Sequence, residues 1–554
     1  MKSRYRIFYW VGGSLLALAG IVLVVVLCLD GWITSVVDRQ LRAEAEAHPE
    51  KQFGYSDVDV RLLQGTFSVD SLWFAVSLQQ ADAASGTPCD TIRFSADRIE
   101  LSGIRPLRTL RRKCLALDEL TFTAPRLTAA MHLRKQPQAG RPDTAVTNDI
   151  AGQILPYINR ITLEDLIVED GSVSFASLDD KMQLAADSIC LGLHDFSLNL
   201  ADSALAYNDS VYHIDLSRLH LLSSDGLFAL DINRFFTRDA GGLSATGIHA
   251  RNTVGKLQLA DRQGKVPTTW ADAHIVKLGT SPVNLIRQAV SGEVRLDSAG
   301  VETSDIHILR DMRYKAKVPF PMPQEGIMQI PVPLSVGKIT ADLPKLQVEM
   351  ATASDRVGAL QIRQTKAVIG NLSNAAGNKT TIQAVCRMGE QAEGSFRLNL
   401  QNDKACHYSA DLQFRNAKGT ALDPLLLPIG GAQVRIDLHS LKCSMNGDSK
   451  EATGDFQMLY DSLHVFIHRD QMPVAMVAKH ANTINFFLGM LLPQSNPRQA
   501  GREPIQCKVS AVRDPMQDYA MYLFAPVIDG VIQTVLPPLL QSEVKKSFNK
   551  KQQK

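Results

Sequence analysis

Histidines spaced as metal ligands are the first residues whose types could do chemistry. His464 and His468 are four residues apart, which on a helix would bring both imidazoles to one metal ion. The surrounding residues alternate apolar and polar with a period of two, however, and this pattern predicts a strand. On a strand the two histidines lie about 13 Å apart on the polar side. We therefore interpret both as solvated strand residues and predict no metal site.

A run of carboxylates is the second candidate for chemistry. Glu164, Asp165, Glu169 and Asp170 lack the ordered spacing of a calcium-binding loop and precede Gly171, so we interpret them as strand edges and a turn. The sequence contains no nucleophile elbow, dinucleotide-binding glycine motif, phosphate-binding loop or H-E-x-x-H zinc motif. We predict no catalytic residue and no cofactor, and we expect the protein not to be an enzyme.

The dominant pattern is alternation typical of strands. Phe396, Leu398 and Leu400 alternate with polar residues, and the same period of two recurs in the runs that follow. The later apolar positions are Leu412, Phe414, Val434, Ile436, Leu438, Phe456, Met458 and Tyr460. Turns such as Asn446-Gly447-Asp448 join the runs, which predicts an antiparallel meander with one apolar side.

An apolar side of a sheet must be covered, closed on itself or occupied by something apolar. The few predicted helices are too short to cover some twenty strands; they are Asp149–Ile158, Ser281–Val290, Leu422–Leu427, His480–Leu492 and Gln517–Phe548. We therefore predict a mainly β fold: a long, curled, largely antiparallel sheet with a few short helices and a C-terminal helix. Either side chains fill the interior as a sandwich or barrel, or the apolar side lines a groove.

One long apolar segment, Ile7–Leu29, lies near the N-terminus. As a helix it would be about 35 Å long, enough to cross a hydrocarbon core of roughly 30 Å. Lys2, Arg4 and Arg6 precede it and Asp30 follows, which predicts a cytoplasmic N-terminus with the bulk of the chain across the membrane. A cleaved signal peptide is the alternative, but the apolar run is long for one and no small-residue cleavage site follows.

Proline and charge divide the remainder of the chain. Prolines 319, 321, 323, 331 and 333 mark an edge, a crossover or a linker, because proline cannot donate to a strand ladder, and an irregular loop within one continuous sheet is the alternative. A helical pattern precedes Lys545, Lys546, Lys550, Lys551 and Lys554. It suits a helix that meets an anionic membrane or an acidic partner, or equally a helix that caps the sheet and ends in a frayed soluble tail. The predicted regions are 1–30 (cytoplasmic N-terminus and anchor), 31–316 (β-rich), 317–334 (proline-rich linker or crossover), 335–480 (β-meander) and 481–554 (helical, with a basic tail).

Composition excludes some partners and leaves the redox state open. The chain of 554 residues is 45% hydrophobic and 21% charged with a net charge of +2, and no basic stripe with interleaved aromatics suggests nucleic acid. Cys89 and Cys114 each begin a strand-like run and could pair in an oxidising compartment, while separate thiols are the alternative.

Several segments carry a family resemblance. Gly394–Leu400, Leu422–Leu426 and Ala452–Val465 resemble the C-terminal part of AsmA-like proteins in the form seen in Bacteroidota, and Ile161–Phe175 is similar to their strand-turn-strand units. The resemblance implies an inner-membrane-anchored periplasmic protein whose curled β-groove shields the acyl chains of phospholipid. It further implies a contribution to phospholipid transport or outer-membrane biogenesis, with envelope proteins as partners.

Two functional hypotheses follow for the apolar positions from Phe396 to Tyr460. In the first they line a lipid groove. In the second the protein is an anchored structural or assembly factor of the envelope, and the same side chains form a closed core without a lipid ligand. Alternation alone does not separate these hypotheses, because it reports which side of a strand is apolar and not what touches that side.

Overall fold

A computed structural model describes most of the chain. The described residues are 51–61, 65–78, 90–103, 114–132, 160–199, 204–206, 212–238, 241–285, 288, 291–352, 356–389, 391–420, 422–468, 485, 488–489, 491–499, 501–536 and 541. The predicted anchor with Lys2, Arg4 and Arg6, the predicted helix Asp149–Ile158 and the basic tail lie outside these residues.

The chain divides into two compact units between Ala245 and Thr246. This division falls inside the predicted 31–316 region. The proline-rich segment 317–334 instead lies within the second unit, where it connects two strands that are parallel neighbours. It is therefore a crossover, as parallel pairing requires a connection that returns the chain to the same end of the sheet.

Pairing in the first unit is mixed. Its strands are β1 Lys51–Gly54, β2 Asp57–Arg61, β3 Thr66–Leu78, β4 Asp90–Ser102, β5 Cys114–Thr123, β6 Arg126–Met131, β7 Arg160–Ser177, β8 Gln183–Asn199, β9 Ala204–Ala206, β10 Tyr212–Leu222 and β11 Phe228–Thr237. β5 and β6 pair antiparallel with β4 and parallel with β7, while β7, β8, β10 and β11 form successive antiparallel pairs. Ile99, Leu101 and Phe67 are almost fully buried in its core.

The second unit begins within β12 and continues to the end of the described chain. Its elements are β12 Gly242–Asn252, α1 Gln258–Arg262, β13 Thr268–Pro282, β14 Val294–Asp311, α2 Pro323–Met328, β15 Leu334–Ala351, β16 Val357–Ser373, β17 Lys379–Met388, β18 Ala392–Gln401, β19 Tyr408–Gly419, α3 Asp423–Gly430, β20 Ala432–Gly447, β21 Glu451–Ile467, β22 Gln506–Val512 and α4 Tyr519–Val535. β14 and β15 are parallel, and each strand from β15 to β22 pairs antiparallel with the next.

The prediction of a mainly β chain is therefore confirmed. The late alternation from Phe396 onward forms the meander β18–β22, and the predicted helix Leu422–Leu427 overlaps α3. The sheet is mixed because of the parallel pairs in each unit. Among the described residues, no helix has the length and apolar content to cross a bilayer.

The apolar–polar alternation is interrupted in several strands of the second unit at the same level. Successive exposed residues interrupt the alternation at Val276 and Lys277 in β13, at Pro344 and Lys345 in β15, and at Arg363 and Gln364 in β16. Register shifts mark bulges in the β13–β14 and β16–β17 pairs, whereas β15 keeps its register with β14 and β16. In β15, Ile339 and Leu343 are partly buried before the interruption, and Leu346 and Val348 are partly buried after it.

Candidate functional site

Side chains from distant strands form continuous apolar rows on one side of the second unit. Ile339, Ile369, Ile382 and Leu398 lie opposite one another in turn across β15–β18. A second row crosses β18–β21 through Phe396, Leu412, Cys443 and Phe456. Directly opposed residues of neighbouring strands project to the same side, so these rows define one surface, which we call the apolar face.

Helix α4 covers one part of the apolar face. Asp518 caps the helix by accepting hydrogen bonds from the backbone N–H groups of Ala520 and Met521, and the helix packs on β20, β21 and β22. Gly530 of the helix lies against Phe456, and an added Cβ there would overlap the Phe456 ring. We call this the closed part; it contains the predicted groove residues Leu398, Leu400, Leu412, Phe456, Met458 and Tyr460, each at most 5% exposed.

Tyrosines seal the edge of the closed part. The Tyr408 ring meets those of Tyr519 and Tyr522 edge to face, with centroids 5.7 and 6.0 Å away, and Tyr522 Oη donates to the backbone carbonyl of Asp448. Burial raises the pKa of Tyr522 to about 12 and also raises the pKa of Tyr408 and Tyr519. The phenol groups are therefore held neutral, as expected for a packed core.

A loop after β21 completes the closed part through a buried amide. Asn496 Nδ2 donates to the carbonyl of Met458, and its Oδ1 accepts from the backbone N–H of Ile505. Tyr460 Oη donates to the carbonyl of Pro493, and burial raises the pKa of Tyr460 to about 12. The side chain of Tyr460 is thus fixed between strand and loop, with no surface left for a ligand.

The rest of the apolar face is less covered. The remaining predicted groove residues, Phe396, Phe414, Val434, Ile436 and Leu438, are partly exposed and pack against the margin of the closed part. Toward β15 the rows continue through residues that are also only partly buried. We call Ile339, Ile369, Ile382, Ala384 and Phe396 the open part.

Sequence reasoning missed most of the open part for a definable reason. In β17, Ile382, Ala384 and Cys386 alternate with Gln383, Val385 and Arg387, but small side chains and an outward valine weaken the contrast. Val385 is 53% exposed, although its neighbours on the inner side are partly buried. The register with β18, whose alternation is clearer, shows which side of β17 is apolar. Ile382 lies opposite Leu398, and Ala384 lies opposite Phe396.

Chemically, the open part can hold an apolar molecule. From β15 to β18 it crosses three strand spacings, about 14 Å, which is comparable with half of a bilayer's hydrocarbon core of about 30 Å. Its members are aliphatic or aromatic and carry no charge. Helix α3 bounds the face at another margin, where a Cβ on Gly358 would overlap the carbonyl oxygen of Leu425.

The residues considered for metal or acid–base chemistry have other positions. His464 is exposed on β21, whereas His468 follows the strand and its Nε2 lies 2.9 Å from Oε1 of Gln433. Asp165 forms an ion pair with His194 on the neighbouring strand. The interpretation of His468 as a solvated strand residue was wrong, because it is partly buried beyond the end of β21.

The described cysteines with placed side chains are free thiols. They are Cys190, Cys386, Cys406, Cys443 and Cys507. Burial raises the pKa of Cys443 to about 11 and also raises that of Cys386, so these thiols are poor nucleophiles. Cys89 and the side chain of Cys114 lie outside the described residues, and their pairing stays a prediction.

No protein-family model matches this chain, and no curated protein matches it in sequence. The case for a function therefore depends on the chain's own sequence and geometry.

Proposed function

We propose that this protein is a membrane-anchored periplasmic lipid-binding protein that shields acyl chains on the open part of its apolar face. Through this binding it contributes to phospholipid transport or outer-membrane biogenesis. The observation that carries the proposal is that Ile339, Ile369 and Ile382 lie opposite one another in register, with Ala384 and Phe396 in the adjoining row, and that all five are only partly buried.

Physical reasoning favours an apolar ligand there. Exposure of an aliphatic side chain to water is unfavourable, and removing it from water stabilises the molecule by about 25 cal/mol for every Å² of apolar surface. A contiguous apolar surface on a folded domain commonly marks a binding site. An acyl chain would remove water from the row without requiring any polar partner, which agrees with the absence of charge among its members.

Two features of the sequence support the membrane setting. The apolar segment Ile7–Leu29 with Lys2, Arg4 and Arg6 before it predicts an anchor with the bulk of the chain across the membrane. The resemblance of Gly394–Leu400 and Ala452–Val465 to AsmA-like proteins supports phospholipid and the inner membrane as partners.

A structural or assembly role in the envelope is the second candidate. The closed part favours it, since Leu398, Phe456 and Tyr460 form a packed core beneath α4. The closed part thus removes several predicted groove residues from the lipid surface, and the proposal depends on the open part alone.

A photo-crosslinking amino acid tests the proposal. Benzoylphenylalanine replaces Phe396 in the full chain, cells are irradiated before extraction, and adducts are identified by mass spectrometry. The control position is Val385, which is also apolar and solvent-accessible but lies on the other side of the neighbouring strand. We expect phospholipid adducts at Phe396 and none at Val385.

Two results would contradict lipid binding at this face. Equal labelling at both positions would indicate contact with bulk membrane. Crosslinks from Phe396 only to the protein's own core would favour the structural role.

A further inference from the structure

A cluster of imidazole and carboxylate groups lies at the start of the second unit, on β12 and β13. His249 Nε2 is 2.7 Å from Asp272 Oδ1, and His274 Nε2 is 3.7 Å from the same oxygen. The two imidazole rings stack with centroids 4.0 Å apart and an interplanar angle of 18°. Three ligand atoms of the kinds that bind transition metals therefore lie within 4.8 Å of one another.

Strand geometry explains this convergence. Asp272 and His274 are two residues apart on β13, so both project to the same side, and β12 brings His249 to them. Asp272 lies opposite His307 of β14, whereas its neighbours Ala271 and Ala273 lie opposite Ile308 and Ile306. The cluster is thus on the side of the sheet opposite the apolar face.

A neighbouring cluster of charged groups surrounds Glu349, whose carboxylate already has partners. Glu349 accepts hydrogen bonds from Lys256 and Gln347, and His307 Nε2 is 3.0 Å from its carboxylate. Burial alone would raise the pKa of Glu349, but these partners together hold it below its ordinary value. Lys256 also lies over the Trp270 ring, so this cluster carries its own compensating charge.

We propose that His249 Nε2, Asp272 Oδ1 and His274 Nε2 bind a divalent transition-metal ion of the zinc class. Bonds of about 2.0 Å in tetrahedral geometry place neighbouring ligand atoms about 3.3 Å apart. The observed separations of 2.7 and 3.7 Å lie on either side of that value, and the two stacked rings tilt apart to direct both Nε2 lone pairs at one ion. The set of two histidines and one carboxylate leaves a fourth position for water or a ligand.

Arg251 competes with metal binding at His249, and this competition provides a further test. Its Nη1 lies 3.0 Å from His249 Nδ1, and a guanidinium can only donate. Nδ1 is therefore the acceptor, and Nε2 carries the hydrogen that His249 donates to Asp272. A metal at Nε2 replaces that hydrogen and shifts the ring to the Nδ1–H form, so Arg251 must turn away.

The experiment is a Zn²⁺ titration of the full chain after chelator treatment, in competition with a chromophoric chelator. We expect one tight site, and His249→Ala or His274→Ala weakens it by about a hundredfold or more. His439→Ala is the matched control, because His439 forms an exposed pair with Asp461 at 2.8 Å and belongs to no such triad among the described residues. This control leaves the tight site unchanged.

Two further measurements distinguish the loss of metal ligands from a loss of folding. Co²⁺ bound to the wild-type chain gives the intense visible absorption of a four-coordinate site, which both alanine variants lose while their unfolding curves in chelator stay cooperative. Arg251→Ala tightens Zn²⁺ binding on the order of tenfold, because it removes a competing donor and a positive charge.

Binding to wild type no tighter than to a His249→Ala/His274→Ala double variant would overturn the proposal. So would a Co²⁺ spectrum that the alanine variants do not change, or weaker binding in Arg251→Ala. These outcomes do not depend on whether the apolar face binds lipid.

Discussion

The closed and open parts of the apolar face have the same strand pattern but different surroundings. Phe456 and Phe396 lie at the two ends of one row across β18–β21. Phe456 is 1% exposed beneath Gly530 of α4, whereas Phe396 is partly exposed beyond the helix. The difference teaches that alternation assigns a side chain to a side of the sheet, and that a helix from far along the chain decides whether that side is core or surface.

The largest expected contrast comes from the same substitution at the two ends of the row. Phe456→Ala leaves a cavity under α4 and lowers the free energy of unfolding by about 3–5 kcal/mol. Phe396→Ala lowers it by clearly less, since water or a ligand already reaches that ring. Denaturant unfolding of both variants measures the contrast, and equal losses would show that the open part is packed as tightly as the closed part.

A smaller effect is expected where Gly530 of α4 lies against the Phe456 ring. Gly530→Ala places a methyl group against the Phe456 ring and destabilises by about 1–3 kcal/mol, because the helix must shift outward. Gly326→Ala in α2 is the control, since nothing lies within 4 Å of its Cβ and alanine favours a helix. Thermal unfolding of the two variants compares them, and an unaffected Gly530→Ala would contradict tight closure.

Alkaline titration probes closure through the tyrosines. Burial raises the pKa of Tyr460 and Tyr522 to about 12, whereas an unfolded chain ionises them near 10. Because the folded state holds these protons more tightly, their stabilising contribution is complete below about pH 10 and is lost as the pH rises toward about 12. Phenolate absorbance should show a late step that Tyr460→Phe and Tyr522→Phe reduce; a single step near 10 would contradict their burial.

The smallest perturbation uses thiols already present in the chain. Cys386 faces the open part beside Gly394 and is partly exposed, whereas Cys443 is 1% exposed in the closed part. A maleimide should modify Cys386 in the folded protein, though slowly because burial raises the pKa of its thiol, and Cys443 only on unfolding, with mass spectrometry resolving the sites. Added phospholipid should slow modification of Cys386 without affecting Cys190 of the first unit.

Sequence reasoning reached the β class, the late meander and the apolar side of β18–β21, because alternation and turn residues are local signals. It placed the predicted groove at Leu398, Leu400 and Tyr460, which the structure buries. It did not find Ile339 or Ile369, whose membership of the same row depends on register across β15–β18. Sequence reasoning also did not predict that His249 and Asp272 lie together, because no linear motif joins residues that meet only across neighbouring strands.

By itself, the sequence determined that this protein is mainly β and which side of its late strands is apolar, since both follow from residue type and a period of two. The tertiary structure alone decided that α4 closes one part of that side and leaves Ile382 and Phe396 partly exposed. It also decided that His249 meets Asp272 and His274. The physical reason is that closure and convergence are contacts between segments distant in the chain, and they depend on strand register, bulges and helix packing.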